Sequence, residues 1–504
     1  MSKKNILIFI VAYHHEKSIQ AVLRRIPSDV FKHNTEVLII DDASSDETFQ
    51  KAEEFRSIAE QPFKLTVLYN PENLGYGGNQ KVGFQYAIDK GFDVVALLHG
   101  DGQYAPERLP ELLQPLLDSE ADAVFGSRMM NRLDALKGGM PLYKYVGNKI
   151  LTTFQNFALS TNLSEFHSGY RLYTVGALKK LPFHLNTNDF HFDTEIIIQL
   201  VFAGLKIKEI PIPTYYGDEI CNVDGLKYAK DVFKVTSLAP FQRLGLLYQR
   251  KFDFSELEGE QRYASKVDFD SSHSLAIRQI PRGAKILDLG CSSGIIAAEL
   301  KSRGCYVTGI DSVPTENRDA FDEYHVCDLD RDELPVDVTP FDYILLLDFI
   351  EHLAGPEAFV DRLYEKIGNN PQAKLIVTTG NIAFVVVRLV LMFGAFNYGR
   401  RGILDMDHKR LFTFSTIRSL FEERGFDLLE KSGIPAPFQL AFGRNTVSAA
   451  LNKLNRMLLK VLPGLMSFQI LCVFKPRPSL GHLLGQAIKT GNMKRAALNA
   501  TKAS

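Results

Sequence analysis

Two short motifs, far apart in this 504-residue chain, have residue types that can hold a nucleotide-derived donor. The first, at residues 99–103, reads His-Gly-Asp-Gly-Gln, and the second, at 288–294, reads Asp-Leu-Gly-Cys-Ser-Ser-Gly. Each follows an apolar run typical of a buried parallel strand and leads into a turn and a predicted helix. The two motifs suit different group transfers, so we expect two enzymatic domains.

Further carboxylates and glycines accompany the first motif. Asp41 and Asp42 follow another predicted strand, and residues 73–79 form a glycine-rich loop before a predicted helix. One acidic loop can bind base and ribose while Asp101 ligates a divalent cation on a diphosphate, because hard cations prefer oxygen ligands. The helix N-terminus can face phosphate. Singly, each feature is more often a turn or a helix cap, but their order and spacing together favour a nucleotide site.

On these motifs the first domain resembles the inverting family 2 glycosyltransferases, in particular the dolichyl- or polyprenyl-phosphate sugar synthases, over about residues 4–245. The resemblance implies a GT-A-type α/β fold, Mg²⁺ or Mn²⁺, a UDP- or GDP-linked sugar donor, and a lipid-phosphate or glycolipid acceptor. The positions that it assigns to the nucleotide-sugar are Tyr13, Glu16, Asp41, Asp42, Gly77, Asn79, Asp101, Gln103, Arg128 and Arg171. Within that set, the two arginines are expected to meet phosphate groups.

The family usually has Asp-x-Asp where this chain has His99 and Asp101. A neutral imidazole can still ligate a metal ion, although the substitution removes one negative charge. The alternative is that His99 packs at the strand end and Asp101 suffices. An acceptor phosphate is already ionised and needs no base. A hydroxyl acceptor needs one, and Asp193 and Glu195 are then the catalytic candidates, unless they cap the helix that follows.

The second motif departs from the dinucleotide fingerprint, because it lacks the G-x-G-x-x-G spacing. Asp288 precedes the first glycine, and a carboxylate there suits a ligand with a cationic amino-acid end better than a pyrophosphate. Asp311 ends the next predicted strand and can accept both ribose hydroxyls. Asp328 ends the third and can meet an adenine amino group.

This set resembles the class I S-adenosylmethionine-dependent methyltransferases over about residues 266–475. The resemblance implies a Rossmann-like seven-stranded domain with S-adenosylmethionine as cofactor, held by Asp288, Gly290, Cys291, Gly294, Asp311, Asp328, Leu329 and Asp348. Residues 348–353 look like a segment of quinone-biosynthesis O-methyltransferases that binds a cation in some relatives, with a structural role as the alternative. His408 is the general-base candidate because imidazole titrates near neutral pH; the alternative is a solvated loop histidine.

Alternating strands and helices must position these residues. Strands are predicted at 6–12, 36–40, 65–69, 94–98 and the edge segment 206–216, then at 285–289, 306–310, 324–327, 343–347, 375–378, 426–430 and 469–474, with the last pair antiparallel. Such alternation predicts parallel sheets with chemistry at the carboxyl ends of the strands. We expect a glycosyltransferase domain at 1–247, a linker at 248–265, a methyltransferase domain at 266–478 and a basic tail at 479–504.

The composition of the chain limits the kinds of binding partner and the compartment that we expect. A net charge of −1 argues against nucleic-acid binding, and five scattered cysteines favour a reducing, cytoplasmic compartment. No apolar run reaches the ~18–20 residues of a membrane-spanning helix. No Asp or Glu follows Glu430, and residues 447–462 predict a basic amphipathic helix. Together with the apolar residues 382–396, this basic helix predicts peripheral contact with the inner face of the cell membrane. The alternative is that residues 447–462 form a helix that covers the core.

The sequence therefore predicts a bifunctional enzyme that transfers a sugar to a lipid-linked acceptor and methylates a hydroxyl group. One alternative is a methyltransferase fused to a catalytically degenerate nucleotide-sugar-binding scaffold, which the substitution at His99 would support. Another makes the second half a nicotinamide-dependent dehydrogenase, against which the missing glycine spacing argues.

Overall fold

The computed structural model describes residues 3–58, 63–131, 134–214, 224–254, 271–368, 370–480, 482–484, 488–490 and 492. The chain divides into two compact units. The N-terminal unit contains the described residues up to Gln242 and those from Gln249 to 254, and the C-terminal unit contains Arg243–Tyr248 and the described residues from 271 onward. Most of the predicted linker and of the predicted tail lies outside the described residues.

The N-terminal unit is built on one seven-stranded sheet in the order β3-β2-β1-β4-β6-β5-β7. Its strands are β1 (Asn5–Ala12), β2 (Asn34–Asp41), β3 (Lys64–Tyr69), β4 (Val94–His99), β5 (Ala123–Ser127), β6 (Arg171–Thr174) and β7 (Ile207–Pro211). Only β6 runs antiparallel to its neighbours. The register pairs Ala12 with Asp41 and Val11 with His99, so the carboxyl ends of β1, β2 and β4 meet at one edge.

Helices cover both faces of this sheet. They are α1 (Ile19–Arg24), α2 (Thr48–Arg56), α3 (Tyr76–Asp89), α4 (Leu109–Leu117), α5 (Asp134–Lys137), α6 (Leu142–Leu159), α7 (Val175–Lys180), α8 (Phe192–Phe202) and α9 (Gly225–Arg243). Alternate residues of β1 enter opposite cores: Ile8 and Ile10 belong to one cluster, and Leu7 and Phe9 belong to the other. Burial on both faces explains why the strand reads as an uninterrupted apolar run.

The C-terminal unit has a second seven-stranded sheet in the order β10-β9-β8-β11-β12-β14-β13. Its strands are β8 (Lys285–Leu289), β9 (Tyr306–Asp311), β10 (Glu323–Val326), β11 (Tyr343–Leu347), β12 (Lys374–Gly380), β13 (Phe426–Ile434) and β14 (Gln469–Pro476). The antiparallel pairing predicted for the last two strands is confirmed, and β14 is also antiparallel to β12. Two α/β folds, one GT-A-like and one Rossmann-like, are therefore confirmed.

The helices of this unit again lie between strands in the chain. They are α10 (Ser272–Arg278), α11 (Ile295–Ser302), α12 (Pro356–Ile367), α13 (Val385–Met392), α14 (Phe414–Glu422), α15 (Phe438–Phe442), α16 (Thr446–Val461) and α17 (Pro463–Met466). The unit has its own two apolar clusters. Within the part of the chain that the structure describes, no helix combines the length and the hydropathy that a membrane crossing requires.

Candidate functional site

Two buried aspartates end β2 in the N-terminal unit. The Asp42 carboxylate accepts hydrogen bonds from the main-chain N–H groups of Leu74 and Gly75, both at 2.9 Å, and therefore ties β2 to the glycine-rich loop. Asp41 Oδ1 accepts the Ser44 N–H at 2.9 Å, whereas its buried Oδ2 has no partner. Burial raises the pKa of Asp41. The orphaned oxygen is suited to a donor group on a ligand.

The glycine-rich loop packs closely against the segment that precedes α8. A Cβ atom built on Gly77 would lie 2.5 Å from the Thr187 carbonyl oxygen and 2.8 Å from Phe192 Cβ. Asn79 donates to the Ile40 carbonyl at 3.0 Å, and its buried Oδ1 has no partner. These contacts fix the start of α3 near the carboxyl end of β2. This is the position that a helix would need in order to face a bound phosphate.

His99 ends β4, and Asp101 Oδ1 accepts the N–H of Gln103 at 2.9 Å. Burial lowers the pKa of His99, so its imidazole is neutral near pH 7. The Tyr76 hydroxyl donates to Asp193 Oδ2 at 3.0 Å, and its oxygen lies 3.3 Å from His99 Nε2. Since that hydroxyl has already given its proton, His99 Nε2–H donates to it, which leaves Nδ1 with the lone pair. One imidazole and one carboxylate fit a divalent cation, with less charge than two carboxylates supply.

Two residues that the sequence analysis did not single out contribute to this site. Tyr76 orients His99, and its only sequence signal was its place inside the glycine-rich loop. His15 follows β1 and packs on Gly100, where a Cβ atom would lie 2.7 Å from its Cδ2 atom. Burial lowers the pKa of His15, and Asp101 opposes that effect. The sequence feature that could have indicated His15 is its position just after a buried strand.

Asp193 belongs to a buried network. It forms an ion pair with Arg171 at 3.6 Å and accepts a hydrogen bond from Gln80 at 3.4 Å. The Arg171 guanidinium also donates to three carbonyl oxygens, at 2.7, 2.9 and 2.7 Å, those of Ser168, Asp193 and Phe166. Arg171 was expected to meet phosphate, but its donors serve the protein interior.

The other predicted charged residues are also held by the protein. The Glu195 carboxylate accepts the Thr187 N–H at 2.7 Å and pairs with Lys251 at 2.5 Å. The buried Arg128 forms an ion pair with Glu165, whose Oε2 accepts the Arg128 main-chain N–H at 2.7 Å. Neither Asp193 nor Glu195 is therefore an unpaired base.

Tyr13 and Glu16 lie at the rim. The exposed Tyr13 ring stacks on His14 with centroids 4.0 Å apart, and Glu16 Oε2 accepts the Glu47 N–H at 3.2 Å. Among the described residues, a trio that does not include Asp101 has metal-ligating atoms within 4.8 Å of one another: Asp189, His191 and Asp231. Lys227 already pairs with Asp189 at 2.5 Å.

In the C-terminal unit, Asp288 lies buried next to the turn that follows β8. Burial and the neighbouring Asp311 raise the pKa of Asp288 to about 7. A carboxyl with this environment gains most from a cationic ligand. Gly290 has φ 75°, and a Cβ atom there would lie 2.3 Å from the Phe349 ring. Gly294, with φ 76°, packs in the same way on Phe321 at 2.7 Å.

Asp311 ends β9, and Asp328 lies just after β10. Asp311 accepts main-chain N–H groups from Ser292 at 2.8 Å and Val313 at 3.1 Å, which orients its carboxylate in the loop. Asp328 Oδ1 accepts the Asp330 N–H at 3.1 Å. Cys291 and Leu329 are buried beside them. Three predicted cofactor-binding carboxylates thus lie at the carboxyl ends of β8, β9 and β10.

Asp348 follows β11 in the left-handed conformation, with φ 51°. Its carboxylate accepts from Ser272 and Thr378, both at 2.8 Å, and from Gln469 at 3.0 Å. Burial and Asp348 raise the pKa of the buried Glu351 to about 8. This carboxyl is therefore mostly protonated at neutral pH, which weakens it as a cation ligand.

His408 lies close to His352, with ring centroids 4.8 Å apart. Its Nδ1 lies 3.0 Å from the Ile403 carbonyl oxygen. A carbonyl only accepts, so Nδ1 carries the proton and Nε2 the lone pair. Burial and His352 lower the pKa of His408. The ring is therefore a neutral, oriented imidazole, as a general base requires.

In each unit the candidate donor-binding residues lie at the carboxyl edge of a mostly parallel sheet, and the matches to known families support transferase activity. Residues 7–182 match the model of glycosyl transferase family 2, and residues 260–431 match that of a methyltransferase domain. The N-terminal unit is thus similar to family 2 glycosyltransferases and the C-terminal unit to methyltransferase domains. The methyltransferase match argues against the dehydrogenase alternative.

Curated relatives match the N-terminal domain. The UDP-N-acetylglucosamine--dolichyl-phosphate N-acetylglucosaminyltransferase of Methanococcus voltae is 29% identical over 43% of this chain and 88% of its own length. The undecaprenyl-phosphate mannosyltransferase of Micrococcus luteus is 28% identical over 41% and 82%.

Solved structures match each unit separately. Glucosyl-3-phosphoglycerate synthase from Mycobacterium tuberculosis, solved with Mn²⁺ and UDP, has a TM-score of 0.35 at 17% identity, over 47% of this chain and 79% of that one. A TehB-like SAM-dependent methyltransferase from Corynebacterium glutamicum has a TM-score of 0.26 at 20% identity, over 41% and 87%.

Proposed function

We propose that this chain is a bifunctional enzyme of lipid-linked glycan synthesis. The N-terminal domain transfers a sugar from a UDP- or GDP-linked donor to a polyprenyl phosphate, and the C-terminal domain uses S-adenosylmethionine to methylate a hydroxyl group. The two curated relatives, whose names specify dolichyl phosphate and undecaprenyl phosphate, support the acceptor class.

One observation carries the choice of a phosphate acceptor over a hydroxyl acceptor. The base candidates Asp193 and Glu195 are both buried and both paired with a cation, Arg171 and Lys251 respectively. Ion pairs and hydrogen bonds inside the protein engage both carboxylates, so neither is placed to take a proton from an acceptor hydroxyl. A phosphate acceptor is ionised at neutral pH and attacks without a base.

The chain's own residues would bind and orient the donor. Asp41 Oδ2 is the buried acceptor for a base or ribose donor, and the loop held by Asp42 presents the start of α3 to the diphosphate. Asp101, with the Nδ1 lone pair of His99, would hold Mg²⁺ or Mn²⁺. When bound, the cation neutralises charge on the diphosphate leaving group. Arg128 and Arg171, being held inside the protein, would position the loops around the site.

In the C-terminal domain, Asp288 would pair with the cationic amino-acid end of S-adenosylmethionine, and Asp311 and Asp328 would bind ribose and adenine. The cofactor supplies an activated methyl group. Asp348 positions the strand end through its three side-chain donors. His408 Nε2 would take the proton of the acceptor hydroxyl, which suits methyl transfer because the remaining barrier is mainly one of alignment.

The enzyme would work at the inner face of the cell membrane. Val447, Leu454 and Val461 on α16 are exposed, and no Asp or Glu follows Glu430. The predicted alternative of a core-covering helix fits this exposure poorly. Failure to sediment with anionic liposomes at low salt would contradict membrane contact at α16.

The deciding experiment is mass spectrometry of polyprenyl-phosphate lipids from cells with the intact gene, with Asp101→Asn and with Asp288→Asn. We expect the first substitution to remove a hexose-bearing species and the second to remove a methyl mass alone. Unchanged lipids in both strains would refute the proposal.

A scaffold role remains the second candidate because His99 replaces a carboxylate. Isothermal titration of UDP- and GDP-sugars with Mn²⁺ distinguishes an active glycosyltransferase from a scaffold. The enzyme is expected to bind and turn over one donor, whereas a scaffold would show no turnover.

A further inference from the structure

Helix α6 turns its hydrogen-bonding residues towards the protein interior. Asn148, Thr152 and Gln155 are buried on one side of it. Asn148 donates to Glu165 Oε1 at 2.9 Å, and Gln155 donates to Thr194 Oγ1 at 3.4 Å. A helix on the surface of a soluble protein normally packs its apolar stripe inward. In α6 the polar side faces inward instead.

The opposite side of α6 is apolar and exposed. Leu142, Tyr143, Val146 and Ile150 have 67, 74, 45 and 64% of their surface accessible. At 3.6 residues per turn these four positions lie on one side of the helix. We call them the α6 apolar face. Exposed apolar residues that form one contiguous patch mark an interaction surface.

Helix α9 extends this surface. Phe154 of α6 stacks on Phe233 of α9, with ring centroids 4.7 Å apart. Phe233 and Leu226 are themselves exposed. Apolar side chains of two adjacent helices therefore continue the patch.

Charge around the α6 apolar face has one dominant sign. Residues 142–159 include no Asp or Glu. Of their two lysines, Lys149 lies at the margin of the α6 apolar face, whereas Lys144 lies on the side of the helix that carries Asn148. On α9, Lys230 and Lys234 are exposed. An apolar face with cations at its margins is complementary to a bilayer with anionic headgroups.

We propose that the α6 apolar face docks the N-terminal unit onto an anionic lipid bilayer, with Leu142, Tyr143 and Ile150 at the acyl boundary and the lysines among the headgroups. This inference rests on the proposed function and names the surface through which the lipid acceptor reaches the site. Asn148 contacts Glu165, which holds Arg128, so the docking helix is one side chain from the predicted donor site.

The chain has no tryptophan, so a single introduced indole reports its own surroundings. The probe variant is Tyr143→Trp in the full chain. The matched control is Ile58→Trp, at a position that is 50% exposed beyond the end of α2. With phosphatidylglycerol vesicles that carry brominated chains, we expect a blue shift and strong quenching for Tyr143→Trp and neither for Ile58→Trp. Equal, unshifted spectra would overturn the proposal, even if the chain binds vesicles through α16.

A charge pair tests the headgroup contact. Lys149→Gln with Lys230→Gln is expected to weaken binding to phosphatidylglycerol vesicles by about tenfold, whereas Lys179→Gln with Lys180→Gln, on α7, leaves it unchanged. Equal binding by both double variants would contradict the proposal. So would a concentration-dependent dimer that Ile150→Ser abolishes, because a second copy would then occupy the face.

Failure here is distinguishable from failure of the proposed function. Calorimetric binding of UDP with Mn²⁺ to the wild-type chain tests the donor site without lipid. If UDP binds but vesicles do not change the fluorescence spectrum of Tyr143→Trp, the proposed docking surface is wrong and the glycosyltransferase site stands.

Discussion

At the residue scale, the raised pKa of Asp288 predicts that pH affects both stability and cofactor binding. An aspartate in an unfolded chain titrates near ~3.9, whereas the folded chain raises the pKa of Asp288 to about 7. Ionising this group in the fold therefore costs stability. Without ligand, the free energy of unfolding of the C-terminal unit should fall as pH rises from about 4 to about 7.

S-adenosylmethionine binding should show the opposite trend, because its cationic end requires the carboxylate. The ionised fraction of Asp288 rises from about 0.1 at pH 6 to about 0.5 at pH 7, which predicts an affinity gain of about fivefold by calorimetry. Asp288→Asn should bind weakly with a flat profile. A wild-type affinity that is constant over this range would contradict the role of Asp288.

If the proposed metal site is correct, His99 is expected to set the metal dependence of the first site. His99→Asp restores a second carboxylate, so we expect the Mn²⁺ concentration for half-maximal UDP binding to fall by about tenfold. Asp101→Asn should raise that concentration, and the surface change Asp118→Asn should not alter it. Thermal unfolding followed in parallel will show whether each variant folds. If folded His99→Asp keeps the wild-type metal dependence, residue 99 does not contact the ion.

At the element scale, the turn after β8 depends on packing as well as on backbone conformation. Gly283 and Gly290 have φ of 77° and 75°, so alanine strains both by about 1 kcal/mol. Only at Gly290 would the new Cβ atom meet a neighbour, the Phe349 ring at 2.3 Å; around Gly283 nothing lies within 4 Å. Gly290→Ala should cost about 1–3 kcal/mol more in urea unfolding than Gly283→Ala. Equal losses would mean that Phe349 moves aside freely.

Comparison of the predicted and observed strands shows which elements could be recognised from the sequence. Strands such as β2 and β4 follow from buried apolar runs, and the polar residues at their ends, Asp41 and His99, belong to the candidate site. The strands β5 and β6 were not predicted, because β5 has only three apolar residues in a row and β6 begins with Arg171. Only the folded chain explains a buried arginine there, because carbonyl oxygens and Asp193 surround its guanidinium group.

At the scale of the whole molecule, each unit has its own apolar clusters. Separate cores predict two calorimetric unfolding transitions. UDP with Mn²⁺ at about 100 times its dissociation constant should raise one by about 5–10 °C, and S-adenosylmethionine should raise the other. Asp101→Asn should abolish only the first shift and Asp288→Asn only the second. A single transition that both ligands shift would contradict this independence.

The sequence by itself determined two α/β domains and the loops that carry Asp41, Asp101, Asp288 and Asp311, because apolar runs compel buried parallel strands and polar residues then mark their carboxyl ends. Only the tertiary structure decided what those groups contact. It paired Asp193 with Arg171, set the proton on His99 through Tyr76, and turned α6 with its polar side inward. Helical periodicity is the same whichever side faces the core. The orientation of α6 depends on Glu165 and Thr194, partners that only the folded chain brings to it.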